Sequence, residues 1–221
     1  WEYAEMGYQE YKSSATLIDL LREEKFNIQK SVADIPTAFV AEYGSGGPVI
    51  AILGEFDALP GLSQKAQSYK ESAGGIGGHA CGHHLFGTAS SAAAIAVKNY
   101  IISNKIDATI RFYGTPAEEG GGAKVYMARA GLFDDVDAVI HWHPGASNDA
   151  SEGAALANIS AKFRFSGISS HAAAAPEKGR SALDGVEAMN YMVNMMREHV
   201  PQETRIHYVI TDGGKAPNVI P

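Results

Sequence analysis

The run Pro48-Val-Ile-Ala-Ile-Leu-Gly54, continued by Glu55-Phe-Asp-Ala-Leu-Pro60, decides how the rest of the chain is read. An apolar run with no polar alternation fits a strand buried on both faces, as in a parallel sheet covered by helices. Working outward, residues 26–32 and 37–43 read as strands split by Pro36. Residues 2–24, with Leu17, Ile18, Leu20 and Leu21 among charges, read as a surface helix. On the other side follow a polar, glycine-rich loop (61–78), a helix (85–103), a strand (108–114), a helix (123–130) and a strand (137–141). This order predicts an α/β fold with a mixed, mainly parallel sheet flanked by helices. Such sheets bind ligands at the carboxyl ends of their strands.

Four polar clusters fall at those ends. Asp57 follows the first buried strand, and His79-Ala-Cys81-Gly-His83-His84 precedes the long helix. Thr115-Pro-Ala-Glu118-Glu119-Gly-Gly-Gly122 follows the next strand, and His141-Trp-His143 the last. Cys81 and His83 are two residues apart, so one loop can aim both at one ion. Thiolate and imidazole suit a borderline-soft divalent cation such as zinc. Alone, a single cysteine is more often a small buried hydrophobe, and paired glutamates more often favour a helix N-terminus. Together the clusters suggest a division of labour. One carboxylate binds metal, and the other takes a proton from water and passes it to a leaving amine. Asp57 is open to three readings: a ligand, an acceptor that orients a ligand imidazole, or a turn residue. His84 and His143 read as supporting or structural, and His199 and His207 as ordinary helix-end and strand positions.

The 221 residues are 45% hydrophobic and 19% charged, as in a soluble globular protein. A net charge of −7 gives no reason to expect nucleic acid or an anionic membrane as partner. No apolar run approaches the ~18–20 residues of a membrane span, and no signal peptide is evident. One cysteine excludes an internal disulfide, so a reducing, cytoplasmic setting is the expectation.

Beyond Gly153 the texture changes. Residues 154–166 alternate like a long strand, 167–176 form a loop, and 180–199 form an amphipathic helix. Its stripe of Ala182, Val186, Met189, Met192, Val193 and Met196 reads as core packing. Residues 205–211 read as a strand ended by Gly213-Gly214. The expected division is a catalytic domain over 1–155 and the start of a smaller α+β domain over 156–221, with the chain incomplete at its C-terminus.

Four motifs in this order resemble a known superfamily: Gly54-Glu-Phe-Asp-Ala-Leu-Pro-Gly-Leu-Ser63, Cys81-Gly-His-His-Leu-Phe-Gly-Thr88, Gly114-Thr-Pro-Ala-Glu-Glu-Gly-Gly-Gly-Ala123 and His141-Trp-His-Pro144. Gly167-Ile-Ser-Ser-His-Ala-Ala-Ala-Ala-Pro176, Gly179-Arg-Ser-Ala-Leu-Asp184 and Pro217-Asn-Val219 extend the resemblance. The chain is similar to the dinuclear-metal amidohydrolases and peptidases of the aminoacylase and carboxypeptidase G superfamily. Its Cys-Gly-His motif resembles the indole-acetyl-amino-acid hydrolase branch.

The resemblance implies a metallo-aminopeptidase-like catalytic domain, a lid and dimerisation domain, and two divalent metal ions. Zinc suits the ligands, and manganese, cobalt or nickel occur in relatives. It makes Cys81, His83, Glu119 and His141 metal ligands, Glu118 the general base and acid, and Asp57 an orienting group. His171 becomes the oxyanion stabiliser, and Asn218, Arg180 and Gly214 become substrate contacts. The implied reaction is hydrolysis of an amide bond in an N-acyl or N-aroyl amino acid of the aminobenzoyl-glutamate type. A dipeptide or an indole-acyl amino acid is the alternative, and a non-catalytic interaction partner is the alternative of another class. A homodimer through the second domain, or pairing with a related subunit, is implied as well. Two departures stand out. His84 occupies a position usually held by Asp or Asn, which makes it a further candidate ligand. The C-terminal segment that normally returns a histidine ligand is not in this sequence.

Overall fold

The computed structural model describes residues 1–150 and 154–221; the texture change expected at Gly153 lies outside them. The chain divides into two compact units, Trp1–Ala150 and Ser151–Pro221.

In the first unit the elements run α1 (Tyr11–Glu23), β1 (Asn27–Lys30), β2 (Phe39–Gly44), β3 (Val49–Gly54), β4 (Leu59–Pro60), β5 (Gly77–Gly78), α2 (His83–Asn104), β6 (Thr109–Gly114), α3 (Ala123–Arg129) and β7 (Ala138–Ile140). Five strands form one sheet in the order β1-β2-β6-β3-β7. The decisive apolar run is β3, parallel to β6 on one side and β7 on the other. β2 joins β6 antiparallel, and β1 joins β2 antiparallel. The two-residue strands β4 and β5 pair with each other, β4 just before the loop expected over 61–78 and β5 at its end.

β3 shows why alternation was missing from the sequence. Ile52 packs with Phe39, Phe112, Leu17 and Leu21 on the face covered by α1 and α2. Ala51 and Leu53 pack with Tyr113 and Met127 on the face covered by α3. Both faces are core, so neither accepts polar side chains.

α1 begins at Tyr11, not near residue 2. Met6 bridges in parallel to Ala58, which draws the preceding segment alongside the strand ends. Glu5 then accepts the backbone N–H groups of Lys12 and Ser13 at 3.0 and 2.8 Å, offsetting the positive end of the helix. β1 ends earlier than expected because Ser31 and Ala33 adopt left-handed φ of 54°.

α2 corrects another expectation. It is 22 residues long with a mean hydropathy of 1.2 over its best window, enough to cross a membrane by length and composition alone. Its alanines raise that mean. Phe86, Gly87, Ser90, Ser91, Ala94, Lys98 and Ile101 form its buried stripe. Lys98 is satisfied there by the Glu24 carbonyl at 2.8 Å and carboxylate at 2.6 Å.

Gly87 sets how closely α2 approaches β3. A Cβ on it would lie 2.8 Å from the Glu55 carbonyl oxygen. Gly87→Val is therefore expected to push α2 off the end of β3 and cost the full-length protein about 1–3 kcal/mol. Urea denaturation of the two proteins checks this.

The second unit is built on α4 (Ala182–Met196). Ser181 Oγ caps it, accepting the Asp184 N–H at 3.0 Å. Residues 168–172, 180–182 and 218–221 are tied together by Ile168–Arg180 and His171–Val219 bridges and by the Ala182 N–H to Pro221 carbonyl bond at 2.8 Å. The strands expected at 154–166 and 205–211 are not formed, since neither segment finds a ladder partner among the described residues. The stripe expected in the core is only partly covered: Ala182, Val186, Met189 and Val193 are half-buried, while Met192 is 60% and Met196 45% exposed.

Candidate metal centre

Parallel pairing of β3 with β6 and β7 places their carboxyl ends side by side, and Glu55, Asp57, Glu118, Glu119, His141 and His143 all follow those ends. The loop before α2 adds Cys81 and His83. Gly82 makes the loop possible, with φ +83° and a missing Cβ that would sit 3.0 Å from Pro144.

His83 is fully buried at the centre. Its Nδ1 lies 2.8 Å from Asp57 Oδ1, and the other Asp57 oxygen accepts the Glu119 N–H at 2.9 Å. Asp57 thereby touches both the His83 ring and the Glu119 backbone. A carboxylate facing Nδ1 fixes the proton there and leaves Nε2 with a lone pair. That Nε2 lies 3.0 Å from Glu55 Oε2 and 3.9 Å from Glu118 Oε2. Neither His83 Nε2 nor Glu55 Oε2 has a hydrogen-bond partner among the described residues, although both are buried. His143 is arranged alike. Its Nδ1 donates to the Pro144 carbonyl at 2.9 Å, and its Nε2 lies 3.3 Å from Cys81 Sγ.

Among the described residues, two groups of side chains could hold a cation: Cys81, His83 and His143, and Glu55, His83 and Glu118, with ligand atoms in each group within 4.8 Å of one another. They meet at His83. The donor set mixes sulfur, nitrogen and oxygen, and the unpartnered buried atoms include Glu119 Oε1. Buried polar atoms without partners are costly unless something binds them. The residues therefore fit a divalent cation.

Electrostatics agree. Burial, then Glu119, push the Cys81 thiol up to about 12. Without a cation nearby the thiol keeps its proton. Burial works against a charged His83, but the hydrogen bond and charge of Asp57 and the charge of Glu55 outweigh it and raise its pKa. Burial and the charge of Glu55 also hold the Glu118 carboxyl above the usual carboxylate range, with Lys124 pulling the other way.

The other expected site residues are placed as follows. His141 is outside both cation groups, with Nε2 3.3 Å from Glu55 Oε1 and its ring edge-on to Phe86. His84 is also outside them, its ring 4.9 Å from those of Trp1 and His79. In the second unit, His171 Nδ1 accepts the N–H groups of Ala173 and Ala174 at 3.2 and 3.1 Å. Its proton is thus on Nε2. Arg180 donates to the Glu177 and Gly179 carbonyls at 3.2 and 2.6 Å. The Asn218 carbonyl accepts the Ala172 N–H at 3.0 Å. Gly214 lines a cavity of about 630 Å³ with Asp184, Lys215 and Val219.

Three residues had no assigned part in the sequence reading. Glu55 had a usable signal, a charge directly after a strand buried on both faces. Lys124 had none, yet its Nζ lies 2.5 Å from Glu55 Oε1. Glu10 had none either. It is fully buried, and it accepts the Ala117 N–H at 2.8 Å and the Thr37 hydroxyl at 2.9 Å. It thereby braces Ala117, whose left-handed φ of 53° precedes Glu118.

Burial raises the Glu10 pKa above 4.5 despite these hydrogen bonds. The folded chain then binds more protons than the unfolded one between the two values. The stability this group contributes is fully present below about 4.5 and is lost as pH rises through the folded pKa. The stability difference between the full-length protein and its Glu10→Gln variant is expected to shift against the wild type over that interval. Denaturation curves at several pH values check it.

The profile of Peptidase family M20/M25/M40 matches residues 51–216. The chain is 47% identical over 223 residues to one of the subunits of p-aminobenzoyl-glutamate hydrolase from Escherichia coli, covering all of this chain and 46% of that protein. It is 32% identical over 233 residues to mouse Xaa-Arg dipeptidase, covering all of this chain and 50% of the relative. The chain thus spans about half the length of the curated relatives it matches. Among solved structures, a dinuclear metal binding M20 peptidase from Bacillus subtilis aligns with TM-score 0.55 and 28% identity over 64% of this chain and 39% of its own. An aminobenzoyl-glutamate utilization protein from Klebsiella pneumoniae aligns with TM-score 0.61 over 99% of this chain and 61% of its own, and at 19% identity it shows the fold alone.

Proposed function

The chain belongs to Peptidase family M20/M25/M40, and from that premise we propose that the protein hydrolyses the amide bond of an N-acyl or N-aroyl amino acid with the help of divalent metal ions. The observation that carries this reading is the buried face-to-face pair of unpartnered ligand atoms, His83 Nε2 and Glu55 Oε2, with the Glu118 carboxylate beside it.

Cys81, His83, Glu119 and His141 are proposed as ligands, and the position of His143 beside Cys81 adds it to the candidates. A bound divalent ion lowers the pKa of water and polarises the scissile carbonyl. Glu118 takes the proton of the attacking water and hands it to the leaving nitrogen. Its half-exposed side chain and raised pKa suit both transfers. Asp57 holds His83 in the tautomer that leaves Nε2 free. His171 is proposed as donor to the oxyanion, since its proton is on Nε2.

Identity to the Escherichia coli hydrolase favours an aminobenzoyl-glutamate-type substrate. Similarity to Xaa-Arg dipeptidase favours a dipeptide as the second reading. Zinc or manganese are the proposed ions, and cobalt or nickel would also suit the site. The proposed assembly is a homodimer or a pair with a related chain, since the protein is also 28% identical to the other component of the Escherichia coli hydrolase.

A substrate panel with the full-length protein tests this. Aminobenzoyl-glutamate, Xaa-Arg dipeptides and indole-acyl amino acids would be assayed before and after chelation. Cleavage of one class, lost on chelation and restored by zinc or manganese, is the expected result. Cleavage that survives complete metal removal would overturn it.

A further inference from the structure

Lys124 is not employed in the chemistry above and Glu55 enters it only as an unpartnered oxygen, yet the two form the tightest ion pair in the centre. Glu55 is 2% exposed, and its oxygens have different surroundings. Oε1 takes the Lys124 ammonium at 2.5 Å, with His141 Nε2 at 3.3 Å. Oε2 is buried, has no hydrogen-bond partner among the described residues and faces the equally unpartnered His83 Nε2 at 3.0 Å. The proton of His83 is committed to Asp57 through Nδ1. With His83 neutral, two lone pairs therefore confront each other where water does not screen them, and a cation on Nε2 has to take the place a second proton would fill. That arrangement is unfavourable by itself and favourable around a cation.

Building on the metal-dependent reading, we propose that Glu55 is a further ligand to the cation held by His83, through Oε2 alone. Lys124 is the positioning residue that makes this so. A carboxylate can bind an ion with one oxygen or with both. An ammonium on Oε1 takes that oxygen out of the coordination sphere and leaves one oxygen for the metal. Lys124 is placed for this by its position in the first turn of α3, and its side chain is mostly buried. It also offsets one negative charge where Glu55, Asp57, Glu118 and Glu119 crowd together.

The test uses the full-length protein stripped and reloaded with cobalt(II), reading affinity by chelator competition and coordination by ligand-field absorption. Glu55→Gln is expected to weaken one ion by about tenfold or more. Lys124→Met is expected to change the ligand-field bands, because the freed carboxylate can close onto the ion with both oxygens. Lys124→Arg restores the wild-type spectrum. Lys124→Gln serves if Lys124→Met does not fold, as judged by circular dichroism. Wild-type affinity in Glu55→Gln overturns the ligand assignment, and a wild-type spectrum in folded Lys124→Met or Lys124→Gln overturns the positioning role. Either result leaves the hydrolase reading standing if the wild type loads cobalt and cleaves an amide. A wild type that takes up no stoichiometric ion overturns both.

Discussion

Glu118→Gln in the full-length protein is expected to lower turnover by about 10²–10⁴-fold with metal content unchanged. The amide of glutamine keeps the shape of the side chain but cannot accept a proton from water. Glu118 is the carboxylate with freedom to move, since its side chain is 45% exposed while those of Glu55 and Asp57 are at most 2% exposed. It stands 3.9 Å from His83 Nε2, too far for a hydrogen bond and near enough to reach water at an ion there. Steady-state kinetics beside elemental analysis decide the matter. Loss of metal together with turnover would make Glu118 a ligand in the group it shares with Glu55 and His83.

Asp57→Asn is the second large effect. Asparagine matches aspartate in size, and its oxygen can still accept the Glu119 N–H. Its NH₂ would then face His83 Nδ1 and require a lone pair there. The imidazole would carry its proton on Nε2, the nitrogen turned toward Glu55 and Glu118. Loss of such an orienting carboxylate costs about 10–100-fold in metal affinity. Chelator competition measures it. Unchanged affinity would mean that Asp57 only holds the Glu119 backbone.

β3 was legible because burial on both faces leaves an apolar run that few other structures produce. Once β3, β6 and β7 are parallel neighbours, residues far apart in sequence must meet at their ends. That is why Asp57, Glu118, Glu119 and His141 could be grouped before any geometry was known. Glu10 and Lys124 escaped because their partners lie 107 and 69 positions away, and nothing local distinguishes them from surface charges. The part of His143 depends on which nitrogen the Pro144 carbonyl engages, and sequence carries no tautomer. In the second unit, alternation over 154–166 says which residues share a face and not which strand would pair with them.

Glu10 joins three segments through one carboxylate: the start of α1, the approach to β2 at Thr37, and the turn at Ala117 that leads into Glu118. Opening that turn alone would strand a buried carboxylate and a buried amide together. The turn and the first turn of α1 should therefore open as one cooperative unit, with the Ala117 amide exchanging its hydrogen at the pace of the helix rather than of a surface loop. The stillness of the loop bearing the paired carboxylates is then borrowed from a helix more than a hundred residues earlier in the chain.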